Sequence, residues 1–418
     1  MIGELVEREA VAAAAALPSL EDGAVGSALR RAAVELEERL EDVLAANERD
    51  VAAARDTLDE GALDRLRLDE PRVATLARQL EATAALEPLE REISSRTLAN
   101  GLQVRELRIP VGTIGANFEA RPGVALDIAA QVLKSLNTIV LRTGGAALAT
   151  VEALVDQVLR PALTAEGIDP GAVGLVRSPD RSGAEALVSL PRWIPLVILR
   201  GSGASTAALE RLASDNRVRT LAHAEGGGVL YVHGSARADR VTAIVDSSLD
   251  RLGVCNRLNL ALVDREAAGL AARLVAACEG RGVEVVGTPR ATAVVSVPEL
   301  DERIGYEWAS DPARVSTVTL DIVDDLPEAV QIANTETSAL AAGIVAENVE
   351  AVERFFSLYR GSAAFWHAST RYTDGFELTG SPETGINVDW APGPRGPVTY
   401  RDLWLRQYRV VGDATQAR

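Results

Sequence analysis

The sequence predicts an α/β protein whose parallel sheets are flanked by helices and divided among at least two domains. Three observations carry this reading. Short apolar runs alternate with longer stretches of helical periodicity over most of the chain, the pattern of strands crossed over by helices. Two of these runs end in glycine turns that open a helical stretch. The chain also has 418 residues, 47% of them apolar, which is more than one compact core usually organises.

In chain order, residues 1–97 read as helical, with Leu and Val at helical spacing in an Ala-rich background. Leu102–Ile109 switches to alternation and reads as a solvent-edge strand ending at Pro110. Thr138–Leu141 is a strand followed by Gly144-Gly145 and a helix to Leu163. Ile194–Leu199 is a strand followed by Arg200-Gly201-Ser202-Gly203 and a helix through Leu212. Further strands are expected at Leu258–Val263, Ala293–Val297 and Val315–Val323, and a last one at Leu403–Val411 before a polar tail. No repeat of solenoid period and no low-complexity linker interrupts this order.

Composition narrows the function. A net charge of −17 disfavours nucleic-acid binding, which needs a basic surface to neutralise phosphates. No apolar run approaches the roughly 20 residues of a membrane helix, and the segment from Met1 lacks the basic-then-apolar order of a secretory signal. Two cysteines, Cys255 and Cys278, make no disulfide framework, so a reducing cytoplasm fits. His223, His233 and His367 do not sit at ligand spacing, so no metal site is expected. A Gly-x-Ser-x-Gly elbow for a serine hydrolase is absent. Of 43 lysines and arginines only Lys134 is a lysine, which marks it for a functional role or for a cap on a helix C-terminus.

Two kinds of feature can carry chemistry. Glycine turns between strand and helix, at Gly144-Gly145 and at Gly201-Ser202-Gly203, let backbone N–H groups approach a pyrophosphate where the helix dipole favours an anion; many such turns use glycine for backbone conformation alone. Cys255 precedes Asn256 and a strand, where a thiolate with nearby backbone donors becomes a nucleophile; it also fits a small buried hydrophobe, as Cys278 does within a helical pattern.

At Ile109-Pro-Val-Gly-Thr-Ile-Gly-Ala-Asn-Phe-Glu-Ala-Arg-Pro122 the chain resembles the γ-glutamyl phosphate reductase (glutamate-5-semialdehyde dehydrogenase) family. The resemblance continues through Leu133–Arg142 and returns at Leu199–Gly203, Gly253-Val-Cys-Asn256 and Ala368–Gly375. It also touches Leu44–Asn47, Leu63–Leu66 and Gly393–Gly396, so it spans nearly the whole chain. It implies an aldehyde dehydrogenase-like fold: a Rossmann-type NADP-binding domain over 1–98 and 110–232, an α/β catalytic domain over 233–385 carrying Cys255, and an oligomerisation flap from 99–109 and 386–418. The implied reaction is NADPH-dependent reduction of L-glutamyl 5-phosphate to the semialdehyde in proline biosynthesis. Cys255 would form a thioester, with Asn256 and neighbouring N–H groups stabilising the oxyanion. Cofactor phosphates would rest near Gly201 and Ser202. Arg142 would hold the adenosine ribose and accommodate a 2′-phosphate, and Lys134, at a motif position, joins the cofactor set. Arg121 and Arg371, with Ser369 and Thr370 beside the latter, would read the anionic parts of the substrate. The implied partners are a small-molecule acyl phosphate or aldehyde, an upstream kinase that makes the acyl phosphate, and a second copy or more in a homodimer or homotetramer built through the flap.

The chain departs from the family pattern where specificity is expected to lie. Gly123 replaces an Asn, Asn259 a Glu, and the stretches 225–231 and 337–343 lack the family's Cys-His and His-Thr. These changes describe a divergent member. They leave room for a related activated acid, for an acyl-thioester (CoA or carrier-protein) reductase, for an aldehyde dehydrogenase using Glu225 as a water base, or for a catalytically silent scaffold.

Overall fold

The computed structural model describes residues 2–201, 203–223, 226–252, 254–300, 316–388 and 394–414, apart from the side chains at 203, 204 and 223. The chain divides into two compact units, one formed by 1–222, 381–385 and 398–418, the other by 223–380 and 386–397.

The first unit opens with helices α1 (Ile2–Ala16), α2 (Asp22–Glu38), α3 (Leu40–Ala54), α4 (Glu60–Leu66) and α5 (Glu70–Ala85). Asp59 and Asp69 cap α4 and α5 by accepting from Ala62 N–H and Arg72 N–H at 2.8 Å each, and Pro71 adds a φ already suited to the first turn. Helical character stops short of residue 97. Pro88 follows α5, and Glu92–Thr97 forms a strand, β1, rather than the expected helix. It pairs antiparallel with β2 (Gln103–Pro110). The residues Ile93, Ser94, Ser95 and Thr97 favour extended backbone or turns over helix, a local signal that the Ala-rich context outweighed in the sequence reading.

A five-stranded sheet follows, built from β3 (Thr113–Phe118), β4 (Thr138–Thr143), β5 (Val173–Leu175), β6 (Leu196–Arg200) and β7 (Arg219–His223) in the order β5-β4-β3-β6-β7. The pairings β3 with β4, β3 with β6 and β4 with β5 are parallel. Every residue of β3 and β4 is buried, as befits central strands covered on both faces. Between strands run α6 (Val124–Lys134), α7 (Leu148–Ala153), a π-helical stretch (Leu154–Leu159), α8 (Arg160–Ala165), α9 (Ser182–Leu187) and α10 (Gly203–Asp215). Pro161 has no N–H for the preceding turn, and the π-winding lies immediately ahead of it. One core packs α2, α3, α5 and α6 against one face of the sheet; a second packs α1, α9 and α10 against the other. The chain moves outward from β3 to β5, then returns to place β6 on the far side of β3, so the strand order reverses between β3 and β6.

The second unit is a six-stranded sheet of β8 (Gly228–Val232), β9 (Leu258–Asp264), β10 (Glu284–Gly287), β11 (Thr317–Val323), β12 (Ala341–Val345) and β13 (Ala363–Trp366), in the order β10-β11-β9-β8-β12-β13, with all pairings parallel. Helices α11 (Ala238–Ser248) and α12 (Ala271–Glu279) pack on one face, while α14 (Leu326–Thr335) and α15 (Val349–Leu358) pack on the other. The strand expected at Ala293–Val297 is a turn after α13 (Pro289–Thr292), and the edge strand is β10 instead. Thr288 caps that helix and Pro289 starts it, while Val295 and Val297 still reach the core. A short apolar run does not distinguish strand from turn by periodicity.

After α16 (Gly375–Thr379) come the short paired strands β14 (Gly385–Asn387) and β15 (Gly396–Val398), then β16 (Trp404–Val411). β16 pairs antiparallel with β2, giving a three-stranded sheet β1-β2-β16. Among the described residues no helix is long and apolar enough to cross a membrane.

Candidate active site

In an open parallel sheet, ligands bind beyond the carboxyl ends of the strands where the order reverses. In the first unit that place lies past β3 and β6. Arg142, near the end of β4, is buried. Its Nη1 donates to Asn117 Oδ1 at 3.0 Å, and its Nη2 donates to the carbonyls of Pro179 and Asp180 at 3.2 and 3.0 Å. Burial holds its pKa below the usual guanidinium range. The guanidinium thus ties the 179–180 loop to the sheet. Its Nε and the neighbouring Thr143 Oγ1 are buried without a hydrogen-bond partner, and a side chain added at Gly144 would meet open space. Unsatisfied polar atoms beside open space at a strand-order reversal suit a polar ligand such as a nicotinamide dinucleotide.

Gly201 follows β6. A Cβ there would come within 3.4 Å of Thr206 Oγ1 and 3.5 Å of Glu119 Cδ. Ser205 Oγ donates to Glu119 Oε1 at 3.4 Å, so a carboxylate sits at the start of α10, where the dipole favours negative charge. Ser202, expected to touch the cofactor, lies outside the described residues, as does Glu225. Arg121 is exposed just past β3, its carbonyl accepting from Val124 N–H at 3.1 Å. Asp127, in the first turn of α6, has its carboxyl pushed up to about 7 by burial, against the opposing pull of Arg200.

Lys134 is placed elsewhere. It ends α6, four residues before β4 begins, and so lies at the strand-start edge of the sheet, opposite Arg142 and Gly201. Its Nζ is buried and donates to Ala84 O at 3.3 Å, at the end of α5. An ammonium there closes a helix C-terminus, and burial lowers its pKa. This corrects its assignment to the cofactor set: helix direction alone carries it away from the ligand edge.

In the second unit, Cys255 lies on the loop between α11 and β9, at the strand-start edge beside Gly228 and Ala341. It is half-buried against the cluster of Leu340, Ala341 and Ile386, on which Phe365 and Val388 also pack. A Cβ at Gly226 would lie 2.7 Å from Leu340 and 3.4 Å from Cys255 Cβ, so glycine is required there by the packing of Leu340 beside the cysteine. Cys278 differs: it is wholly buried in α12, and burial pushes its thiol up to about 12, which keeps it unreactive.

Asn256 Nδ2 donates to the carbonyls of Arg371 and Thr373, at 3.0 Å each. Both amide hydrogens are therefore engaged by the 369–373 turn, and the side chain does not face a reacting oxygen as expected. Arg371 donates from Nε to Asp250 Oδ1 at 2.7 Å and from Nη1 to Asn256 Oδ1. Thr370 Oγ1 donates to Asn256 O at 2.9 Å, and Ser369 Oγ meets Ser248 Oγ at 2.8 Å. The structure thus gathers Cys255, Asn256, Ser369, Thr370 and Arg371 around one loop. The sequence reading passed over Asp250 and Arg257. Arg257 is fully buried and donates to the carbonyls of Leu258 and Thr317, at 2.5 and 3.1 Å. An arginine in so apolar a strand start was its visible signal. At two departures from the family pattern the replacements are matched by packing: a side chain at Gly123 would come 2.9 Å from Leu76, and one at Gly227 would come 2.7 Å from Asn259.

No protein-family model matches the chain. It is 35% identical over 378 residues to γ-glutamyl phosphate reductase of Clavibacter michiganensis subsp. michiganensis, covering 88% of this chain and 85% of that one. The same enzyme of Zymomonas mobilis subsp. mobilis is 34% identical over 375 residues, 89% of this chain and 86% of the relative. The chain belongs to the γ-glutamyl phosphate reductase family. The crystal structure of the family's Thermotoga maritima enzyme superposes with a TM-score of 0.90 at 27% identity, covering 99% of this chain and 100% of that one. An acetylating aldehyde dehydrogenase from Geobacillus thermoglucosidasius shares the fold at a TM-score of 0.69 and 14% identity, covering 100% and 98%. The family is one of oxidoreductases with the aldehyde dehydrogenase fold, which is the architecture expected from the motifs.

Proposed function

We propose that this chain is a cytoplasmic NADPH-dependent reductase of an acyl phosphate, L-glutamyl 5-phosphate or a related activated acid, working through a thioester on Cys255. The single observation that carries the reading is the contrast between a half-buried Cys255 on a hydrogen-bonded loop and an inert Cys278. The Cys255 thiolate attacks the acyl carbon, the carbon–oxygen bond to phosphate breaks, and inorganic phosphate leaves. With the Asn256 amide engaged, stabilising the oxyanion falls to backbone N–H groups of the loop. When bound, a reduced dinucleotide would supply the hydride for the thioester, and collapse of the adduct would release the aldehyde and restore the Cys255 thiolate. An upstream kinase supplies the acyl phosphate.

Thr143, Gly144 and Gly201 would hold the cofactor. Because Arg142 is committed to the 179–180 loop, the 2′-phosphate of NADP falls to Arg181, which is 69% exposed at the end of that loop. Arg181→Ala is expected to weaken NADP binding about tenfold, the scale of one charge-assisted contact, and to leave NAD binding unchanged. Arg142→Ala, which frees the whole loop, should weaken both cofactors alike. Titration of each variant with the two dinucleotides checks this, and equal weakening by Arg181→Ala removes its role.

The sheet β1-β2-β16 is the oligomerisation flap in this reading. Its support is that β16 is an edge strand with Leu405, Tyr408, Val410 and Val411 exposed. The reaction itself is tested by following NADP reduction with L-glutamate-5-semialdehyde, with and without inorganic phosphate. Phosphate-dependent NADPH formation is expected; phosphate-independent formation would mean water or a thiol takes the acyl group.

A further inference from the structure

We infer that the 369–373 turn is a clasp that positions the Cys255 loop, and that Arg371 acts as a positioning residue through Asn256 instead of reading the substrate. This deepens the Cys255 reading and rests on it.

The loop that carries the nucleophile runs from the end of α11 at Ser248 to the start of β9 at Leu258. The turn grips it on both sides of Cys255. On the α11 side, Ser369 Oγ meets Ser248 Oγ at 2.8 Å and donates to Ser247 O at 3.3 Å. Arg371 Nε donates to Asp250 Oδ1 at 2.7 Å. On the β9 side, Thr370 Oγ1 donates to Asn256 O, Arg371 Nη1 donates to Asn256 Oδ1, and the Asn256 amide donates back to two carbonyls of the turn. Ser248, Asn256, Ser369 and Thr370 are all buried, so the bonds among them are sheltered from water, while the Arg371–Asp250 pair lies at the surface. One further bond fixes the exit of the loop: Gly228 N–H donates to Arg257 O at 2.7 Å, which sets where β9 starts relative to β8. Arg371 is therefore bridged between one partner on each flank of the nucleophile. A guanidinium in that position sets the span of the loop, and it is already neutralised by Asp250 before any anionic substrate arrives.

Asp250 makes the two roles separable because they predict opposite signs. If Arg371 read a substrate anion, Asp250→Ala would release its guanidinium, and the KM for phosphate or the semialdehyde would fall. If Arg371 positions the loop, the same change loosens the clasp, and kcat falls while KM holds. Asp250 is half exposed, so losing its ion pair costs the fold little.

The experiment compares the full-length wild type, Arg371→Ala and Asp250→Ala in two assays: NADP reduction with L-glutamate-5-semialdehyde and phosphate, and the rate of Cys255 alkylation by iodoacetamide across pH. Arg371→Ala is expected to lower kcat about 10- to 100-fold, the scale of an ångström-level misplacement, with KM within about twofold. Asp250→Ala should lower kcat about fivefold, the scale of one hydrogen bond to a charged group, and the double variant should be no worse than Arg371→Ala. Both single variants should shift the pH midpoint of Cys255 alkylation. A lowered KM in Asp250→Ala, or an alkylation profile identical to wild type in both variants, overturns the clasp. Alkylation needs no turnover, so the clasp is judged even if Cys255 is not the nucleophile; that separate failure would appear as wild-type turnover in Cys255→Ala. If Arg371→Ala does not fold, Asp250→Ala alone decides by the sign of its effect on KM and kcat.

Discussion

Cys255→Ala should abolish turnover, by at least about 10⁴-fold, the scale seen when a covalent nucleophile is removed, while dinucleotide binding stays within about twofold of wild type. The first half follows from chemistry. Acyl transfer from phosphate to a thiol ahead of hydride reduction needs a covalent intermediate, and among the described residues the second unit offers no other thiol fit for it, since Cys278 is held protonated by burial. The second half follows from placement, because the residues proposed to hold the dinucleotide, Thr143, Gly144, Gly201 and Arg181, all belong to the other compact unit. Stopped-flow turnover and equilibrium titration of the same preparation check both halves. Residual turnover above about a hundredth of wild type would mean that the acyl group never rests on Cys255.

The placement of Cys255 was legible in the sequence because the signal is local: a cysteine between a helical stretch and a strand, in an ordered set of motifs. The two parallel sheets were legible for the same reason, since runs such as Thr138–Leu141 and Leu258–Val263 are buried on both faces and read as continuous apolar strands. What escaped depends on partners far away in the chain. Asn256 reads as an oxyanion donor until the turn 115 residues later takes its amide hydrogens. Arg142 reads as a ribose ligand until the carbonyls of Pro179 and Asp180 take its guanidinium. Strand β1 was hidden because its short local signal, Ile93 to Thr97, follows a long Ala-rich helical stretch and becomes decisive only with its pairing to β2. Lys134 is the instructive case, because its error was avoidable. A helix that follows one parallel strand and precedes the next must end at the strand-start edge, so the C-terminal residue of α6 is excluded from the ligand edge by topology alone.

A large stability effect is expected at a glycine rather than at a charged residue. Gly228 opens β8, where its N–H donates to Arg257 O at 2.7 Å. An added Cβ would lie 2.2 Å from Thr370 Oγ1, 2.9 Å from Thr370 Cβ and 2.7 Å from Arg257 O. The first atom leaves with Thr370→Ala, but the second is the Cβ that alanine keeps, and the third is backbone. Gly228→Ala must therefore push the start of β8 away from the residue that follows the Cys255–Asn256 pair. That breaks the bond to Arg257 O and pries the 369–373 turn from the loop at the same time. A cost of about 3 kcal/mol or more is expected, at the upper end for overpacking because no rotamer change relieves a clash with a carbonyl. Denaturant titration measures it. The informative companion is Thr370→Ala. Alone it should cost about 1–2 kcal/mol by leaving Asn256 O without its donor, and added to Gly228→Ala it should recover less than half of the loss, because the contacts with Arg257 O and with the Cβ of residue 370 remain. Full recovery in the double variant would show that Thr370, and not the backbone of the nucleophile loop, is what requires glycine at 228. The clasp would then constrain β8 only through a side chain, and the start of that strand would be free to tolerate larger residues wherever position 370 is small.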